Sequence, residues 1–175
     1  MLKPVSSEPS FATEARAADA LRFREAMSRA AASVHIVTTD GPAGRAGFTA
    51  TAVAPVTDDP ASLLVCVNAG GRSAQMLVRN GVFCVNTLAA GDLALAEAFA
   101  GRTGPQRAAR FELGRWGRLA TGSPVLESGI AAFDCRLTDS RLVATHYVMI
   151  GEVAEVRLGP AGPGLVYRER GYHEL

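Results

Sequence analysis

From Ser33 onward the apolar residues of this chain come in short β-branched runs separated by clusters of glycine, proline and aspartate. Runs of that length suit strands better than helices, and the breaks between them suit turns. Val34 to Thr39 reads as a strand, Asp40-Gly41-Pro42 as the start of a turn, and Phe48 to Val56 as the returning partner of a hairpin. Further strands are expected at Leu63 to Val67, Val82 to Leu88, Ile130 to Thr138, Tyr147 to Val156 and Leu165 to Tyr167. Most of the connections are too short for regular βαβ crossovers. Six or seven such strands therefore point to a mostly β fold, an antiparallel sheet closed into a barrel with short helices.

The helical signals are few. Ala20, Phe23, Met27, Ala30 and Ala31 recur at spacings of three and four, which predicts an amphipathic helix with Phe23 and Met27 packed in the core. A second helix is expected to be capped by Ser73, to run through Met76 and Leu77, and to stop at Gly81; a third is expected between a capping Asp92 and Gly101. In the strand Ile130 to Thr138, Ala131, Phe133, Cys135 and Leu137 alternate with Ala132, Asp134, Arg136 and Thr138, so its second face is either wet or shared with a neighbour. The segment from Gly101 to Gly122, with Arg102, Arg107, Arg110, Arg115 and Arg118, is too long and polar for a hairpin turn; long loops of this kind are often functional or mobile. Residues 1–17 lack periodicity and read as an arm, mobile or packed on a partner subunit, ahead of a single domain spanning 18–175.

Composition narrows the function. With 175 residues, 48% of them apolar and 20% charged, the chain has material for one sizeable core. A net charge of +1 leaves no excess positive field to hold a nucleic acid, although a pocket for one small charged molecule needs only a few local cations. Cys66, Cys84 and Cys135 sit singly inside apolar runs, which fits buried reduced thiols and neither a metal knuckle nor a disulfide framework. No stretch reaches the ~18 consecutive apolar residues of a membrane span, and the first residues lack the apolar centre of a signal peptide. A cytoplasmic protein without membrane or nucleic-acid partners is expected.

Three segments have the makings of a site. In Gly47-Phe48-Thr49-Ala50-Thr51-Ala52 small and hydroxyl residues follow a glycine, so a flat ring could lie against the backbone and find donors there. Asn68-Ala69-Gly70-Gly71-Arg72-Ser73 joins a strand to a helix N-terminus, where free amides beside an arginine can hold phosphate. Ala144-Thr145-His146-Tyr147 puts a histidine at the entry to a long strand, within reach of a barrel mouth. Each also has a plainer alternative: solvent-facing strand threonines, a serine that only caps, a histidine that is simply hydrogen-bonded. Neither GxGxxG nor GxxxxGK[ST] occurs, and no Ser/His/Asp set, paired carboxylates or metal-ligand cluster can be read from the spacing.

In this order, the segments resemble the flavin reductase family of FMN-binding split barrels, the small reductase components of two-component flavin monooxygenases. The likeness runs from about Phe23 to Leu175 and also includes Leu64-Val65-Cys66-Val67-Asn68, Phe83-Cys84-Val85-Asn86-Thr87-Leu88, Arg110-Phe111, Gly122-Ser123-Pro124-Val125-Leu126 and Thr145-His146-Tyr147-Val148. The resemblance implies a six-stranded antiparallel barrel, a homodimer with flavin at the subunit interface, and hydride transfer from NADH or NADPH to FMN or FAD. It places Thr49, Ala50, Thr51 and Ala52 along the flavin ring with Asn68 continuing the wall, Arg72 and Ser73 at the phosphate, and Arg110 and Phe111 on the flavin tail. It also sets His146 at the nicotinamide and Tyr172 closing over the ring. Many members read Gly-Asp-His where this chain has Ala144-Thr145-His146, so the acidic neighbour of the histidine is missing. Reduced flavin would pass to a partner monooxygenase. The alternatives are a flavin-binding module without turnover, or a reductase of a corrinoid or ferric complex with tightly held FMN.

Overall fold

A computed structural model describes residues 19–102 and 107–175; the arm expected over residues 1–17 lies outside them. The first helix, α1 (Ala20–Ser28), is capped by Asp19, whose carboxylate accepts from the Leu21 amide at 2.8 Å. It buries none of its residues: Phe23 is 60% exposed and Met27 56%, against the expectation of core packing. The helix lies on the outside of the described residues, held to them by polar contacts that leave its apolar stripe exposed. The Glu169 amide donates to the Ser28 carbonyl, and Arg170 pairs with Glu25 at 2.9 Å.

Strands follow as β1 (Ala32–Ser33), β2 (His35–Thr39), β3 (Ala46–Ala50), β4 (Val53–Asp58) and β5 (Ala61–Asn68). After α2 (Arg72–Asn80) come β6 (Val82–Thr87), α3 (Leu93–Phe99), β7 (Trp116–Arg118) and β8 (Pro124–Leu126), and then the long pair β9 (Ala131–Val143) and β10 (His146–Leu158). The short strands β11 (Leu165–Arg168) and β12 (Gly171–Glu174) complete the chain. The main sheet is antiparallel, in the order β3-β2-β6-β9-β10-β5-β4. Its end strands β3 and β4 are separated in the chain only by Thr51 and Ala52, so the sheet comes round on itself and forms a barrel.

This corrects two sequence expectations together. Phe48 to Val56 is not one strand, because the chain leaves its pairing with β2 at Ala50 and takes up pairing with β5 at Val53. The main sheet thus has seven strands, and the six-stranded count follows when the switched strand is counted once.

Val37, Leu63, Val65, Phe83, Val85 and Met149 fill the barrel. Gly151 makes room for them: a Cβ there would overlap the Phe83 ring and stand 2.9 Å from the Cβ of Cys135. A second core, with Val34, Ile36, Leu88, Phe99, Phe111 and Leu126, lies between the outer side of β2 and α3. Both faces of the first half of β9 are covered. Asp134 is fully buried there and accepts from the Thr121 amide at 2.6 Å and the Thr121 hydroxyl at 2.5 Å, so the second face is shared with a loop.

Neither expected cap acts through its side chain. Gly71 is the N-cap of α2, and the Ser73 hydroxyl donates instead to the Gly47 carbonyl at 3.4 Å. Asp92 does precede α3, but its carboxylate accepts from the Ala89 amide and the Ser128 hydroxyl, tying down the preceding turn. Gly81 ends α2 in the left-handed conformation (φ 66), as its position suggests.

Candidate active site

The strand switch that closes the barrel also floors a groove of about 680 Å³. Gly47 is glycine because a Cβ would stand 2.8 Å from the Phe99 ring, so β3 lies tight against α3. The Thr49 hydroxyl donates to the Ala96 carbonyl at 2.6 Å, so what this threonine offers the groove is its backbone. The Gly47 carbonyl is reached by Ser73 from outside the β2–β3 ladder, and the two-residue period turns the peptide groups of Thr49 the same way. Ala50, Thr51 and Ala52 continue this low floor.

One wall is the end of β5, with Cys66, Val67 and Asn68. The Asn68 side chain accepts from the Gly70 amide at 2.9 Å and its carbonyl from the Gly71 amide at 3.1 Å, a turn that delivers the chain into α2. The first turn of α2 contains no acidic residue, and Arg72 and Ser73 face the groove from it. Arg45 and Arg110 stand on the other side. Arg45 stacks its guanidinium 4.7 Å above the Phe111 ring, and Arg110 donates to the Phe99 carbonyl at 3.4 Å. Among the described residues no carboxylate lines the groove. Three guanidiniums and a helix N-terminus give the groove a positive field suited to an anion.

His146 opens β10 directly opposite Asn68 and lines the same groove. Its Nδ1 lies 2.9 Å from the Thr145 hydroxyl. The other two histidines are placed elsewhere. His35 is buried with Nδ1 3.1 Å from the Thr87 hydroxyl, and burial lowers its pKa to about 4. His173 contacts the Arg168 carbonyl.

The fold therefore brings Thr49, Ala50, Thr51, Ala52, Asn68, Arg72, Ser73, Arg110 and His146 together around one groove. Phe111 and Tyr172 lie off it. Phe111 is buried against Phe99 and Trp116, with centroids at 5.1 and 5.0 Å, and supports Arg45, which lines the groove. Tyr172 packs on Tyr167 at 5.0 Å, beneath the Arg102 guanidinium. Sequence reasoning missed Arg45 and Met76, which line the groove, and treated Cys66 as buried although it is half-buried in the groove wall. Nothing local in the sequence marks Arg45, whose place depends on its stack over the distant Phe111. Cys84 and Cys135 are buried free thiols; burial pushes Cys135 up to about 12.

A flat heteroaromatic ring with an anionic tail fits this donor set: a floor of small residues and open backbone, a cationic end, and one histidine at the mouth. Among the described residues no cluster of three His, Cys, Asp or Glu could hold a metal ion, and no helix is long and apolar enough to cross a membrane.

Comparison with known proteins agrees with this geometry. Residues 27–175 match the flavin reductase like domain. The chain is 50% identical over 153 residues to the FMN reductase (NADH) RutF of Variovorax paradoxus strain S110, covering 87% of this chain and 84% of that protein. A crystal structure from Haemophilus somnus 129PT superposes with a TM-score of 0.86 at 40% identity, covering 90% of this chain and 100% of that one. BorF, the flavin reductase component of a bacterial two-component tryptophan halogenase, superposes with a TM-score of 0.82 at 28% identity, over 90% of this chain and 98% of that one. A split barrel with a cationic, backbone-floored groove and a match over nearly its whole length make this chain a member of the flavin reductase family.

Proposed function

We propose that this protein is an NADH-dependent FMN reductase that releases reduced flavin to a partner monooxygenase and acts as a homodimer in the cytoplasm. The observation that carries the reading is the groove: its floor, Thr49 to Ala52, and its cationic end, Arg45, Arg72 and Arg110, suit the two halves of one flavin mononucleotide. The choice of FMN and NADH is supported by the name of the Variovorax relative at 50% identity. The choice of an oxygenase-type acceptor is supported by the two-component halogenase to which BorF belongs.

When bound, the flavin supplies the hydride acceptor, and hydride transfer from the nicotinamide is the cofactors' own chemistry. What the chain supplies is position and field. The peptide groups of Thr49 and Thr51 give the ring pyrimidine donors and acceptors. Arg72, Ser73 and the α2 amides hold the phosphate, with Arg110 on the flavin tail. Asn68 extends the wall toward His146, which orients the nicotinamide at the open side. No strong acid or base is needed, in keeping with a groove that, among the described residues, is lined by no carboxylate and by no histidine except His146.

Steady-state oxidation of NADH and NADPH, each with FMN and with FAD, tests the reading. The expected result is highest kcat/KM for the NADH and FMN pair, with flavin lost on gel filtration. Equal or higher rates with FAD, or flavin that stays bound through filtration, would exclude this assignment.

A further inference from the structure

The loop Asp40-Gly41-Pro42-Ala43-Gly44-Arg45 joins β2 to β3 and delivers Arg45 to the groove. Its first half is held by local ties. The Gly41 amide donates to the Asp40 carboxylate at 3.0 Å, the Gly44 amide to the Gly41 carbonyl at 2.8 Å, and Arg118 pairs with Asp40 at 3.0 Å. The peptide that leads into Arg45 is held from another element, by the side chain of Asn80, the last residue of α2.

Asn80 is half-buried and makes three side-chain hydrogen bonds. Its Oδ1 accepts from the Ala43 amide at 2.8 Å, and its Nδ2 donates to the Gly44 carbonyl at 2.9 Å and to the Thr39 hydroxyl at 3.0 Å. That hydroxyl gives its own proton to the Val82 carbonyl at 2.7 Å, so toward Asn80 it can only accept. One acceptor and two donors on a short stem match these three partners, and a carboxylate would set an oxygen against the Gly44 carbonyl. The loop is shaped to the amide. A Cβ at Gly41 would stand 2.8 Å from Oδ1 of Asn80, and Gly44 has φ 92, a conformation that favours glycine.

The Gly44 carbonyl belongs to the peptide that precedes Arg45, so its bond to Asn80 sets the plane from which the arginine departs; the Phe111 ring then holds the guanidinium at 4.7 Å. Asn80 itself lies outside the groove lining. The opposite end of the same helix presents Arg72 and Ser73 to the groove, about 13 Å away along nine residues, with Ala74 and Leu77 buried between. One packed helix therefore fixes two of the groove's cations, Arg72 directly and Arg45 through the loop.

We propose that Asn80 is a positioning residue for FMN, acting through Arg45, whose guanidinium it keeps on the phosphate side of the groove. The proposal rests on the assignment of FMN to this groove and adds a residue that touches no ligand.

Fluorescence titration of the full-length protein with FMN and with riboflavin, which has no phosphate, tests this in Asn80→Ala, Asn80→Asp, Arg45→Ala and the two double variants. Circular dichroism and thermal midpoints accompany each. Asn80→Ala is expected to weaken FMN binding about fivefold and riboflavin binding little, the scale of a lost neutral hydrogen bond. Asn80→Asp keeps the size and the acceptor for Ala43 but loses both donors, and reads the same effect if the alanine variant does not fold. In the Arg45→Ala background neither change is expected to weaken FMN further, because the guanidinium it places is gone; a general loss of packing, or a charge acting on the phosphate through space, would persist there. An equal FMN loss with and without Arg45, a loss shared by riboflavin, or no loss in a folded variant overturns the proposal. A wild-type protein that binds riboflavin as tightly as FMN, or binds neither, overturns the FMN assignment instead.

Discussion

The hydroxyl of Thr145 lies 2.9 Å from Nδ1 of His146, at the tip of the hairpin between β9 and β10. Thr145 is itself held, its carbonyl accepting from the Ala69 amide at 3.0 Å, so the pair is anchored to the turn that leads into α2. A neutral hydroxyl thus engages one ring nitrogen and leaves Nε2 for a ligand in the groove. In the pattern Gly-Asp-His the neighbour would be a carboxylate; here the histidine is oriented without an adjacent charge.

His146→Ala is expected to raise the KM for NADH about tenfold, the equivalent of one lost hydrogen bond, while FMN affinity stays near the wild-type value. Steady-state kinetics beside flavin fluorescence titration reads both. An equal loss of both affinities would move His146 from the nicotinamide to the flavin.

At the other end of the groove Ser73 sits in the first turn of α2 with Arg72 beside it. Ser73→Asp places a negative charge where a phosphate would be held and is expected to weaken FMN binding about tenfold or more, with a much smaller effect on riboflavin, which has no phosphate. If FMN and riboflavin lose affinity alike, the phosphate does not lie at α2.

Packing inside the barrel gives a third expectation. Gly151→Ala drives a methyl group into Phe83 and Cys135, and an overpacked core of this kind costs about 1–3 kcal/mol. Denaturant unfolding should show a lower midpoint with an unchanged slope. A variant as stable as the wild type would mean that Phe83 can move aside.

His35 makes stability depend on pH. Its pKa is about 4 in the fold, because burial disfavours the imidazolium, against about 6.5 in an unfolded chain. The unfolded state therefore binds the extra proton first, and stability falls as the pH drops from about 6.5 toward 4, by about 3 kcal/mol in all. Asp134 acts in the opposite sense, since burial raises its pKa and protonation relieves the fold. His35→Gln can keep the contact to Thr87 and cannot titrate, so its unfolding free energy should be flatter than wild type between pH 6.5 and 4. Parallel curves would show that His35 does not carry the effect.

Much of the barrel was legible in the sequence because its strands are short, β-branched and bounded by turn residues, as in β2 and β6. The break at Thr51 and Ala52 was not, because no glycine, proline or turn residue marks it between Phe48 and Ala54, and only the tertiary closure shows where the pairing changes. The short strand β12 was also missed; Gly171 to Glu174 has little apolar character and takes its register from β11. At the site, the place of the floor and of Arg72 and Ser73 in one groove could be read from small residues beside a glycine-rich turn. Arg45 could not, since its place depends on a stack over Phe111, which is distant in sequence. The exposure of α1 was hidden for the opposite reason: its apolar spacing is that of a packed helix, and periodicity does not say which surface covers it.

The account depends most on the groove floored by Thr49 to Ala52 being a place of flavin turnover. Anaerobic mixing of NADH with the protein and FMN, followed through the visible absorbance of oxidised flavin, tests that directly. Rapid bleaching that requires the protein, and that slows when Thr51 is replaced by a bulky residue such as tryptophan, is the expected result. Flavin that binds but stays oxidised in excess NADH would contradict the account and leave a binding module in its place.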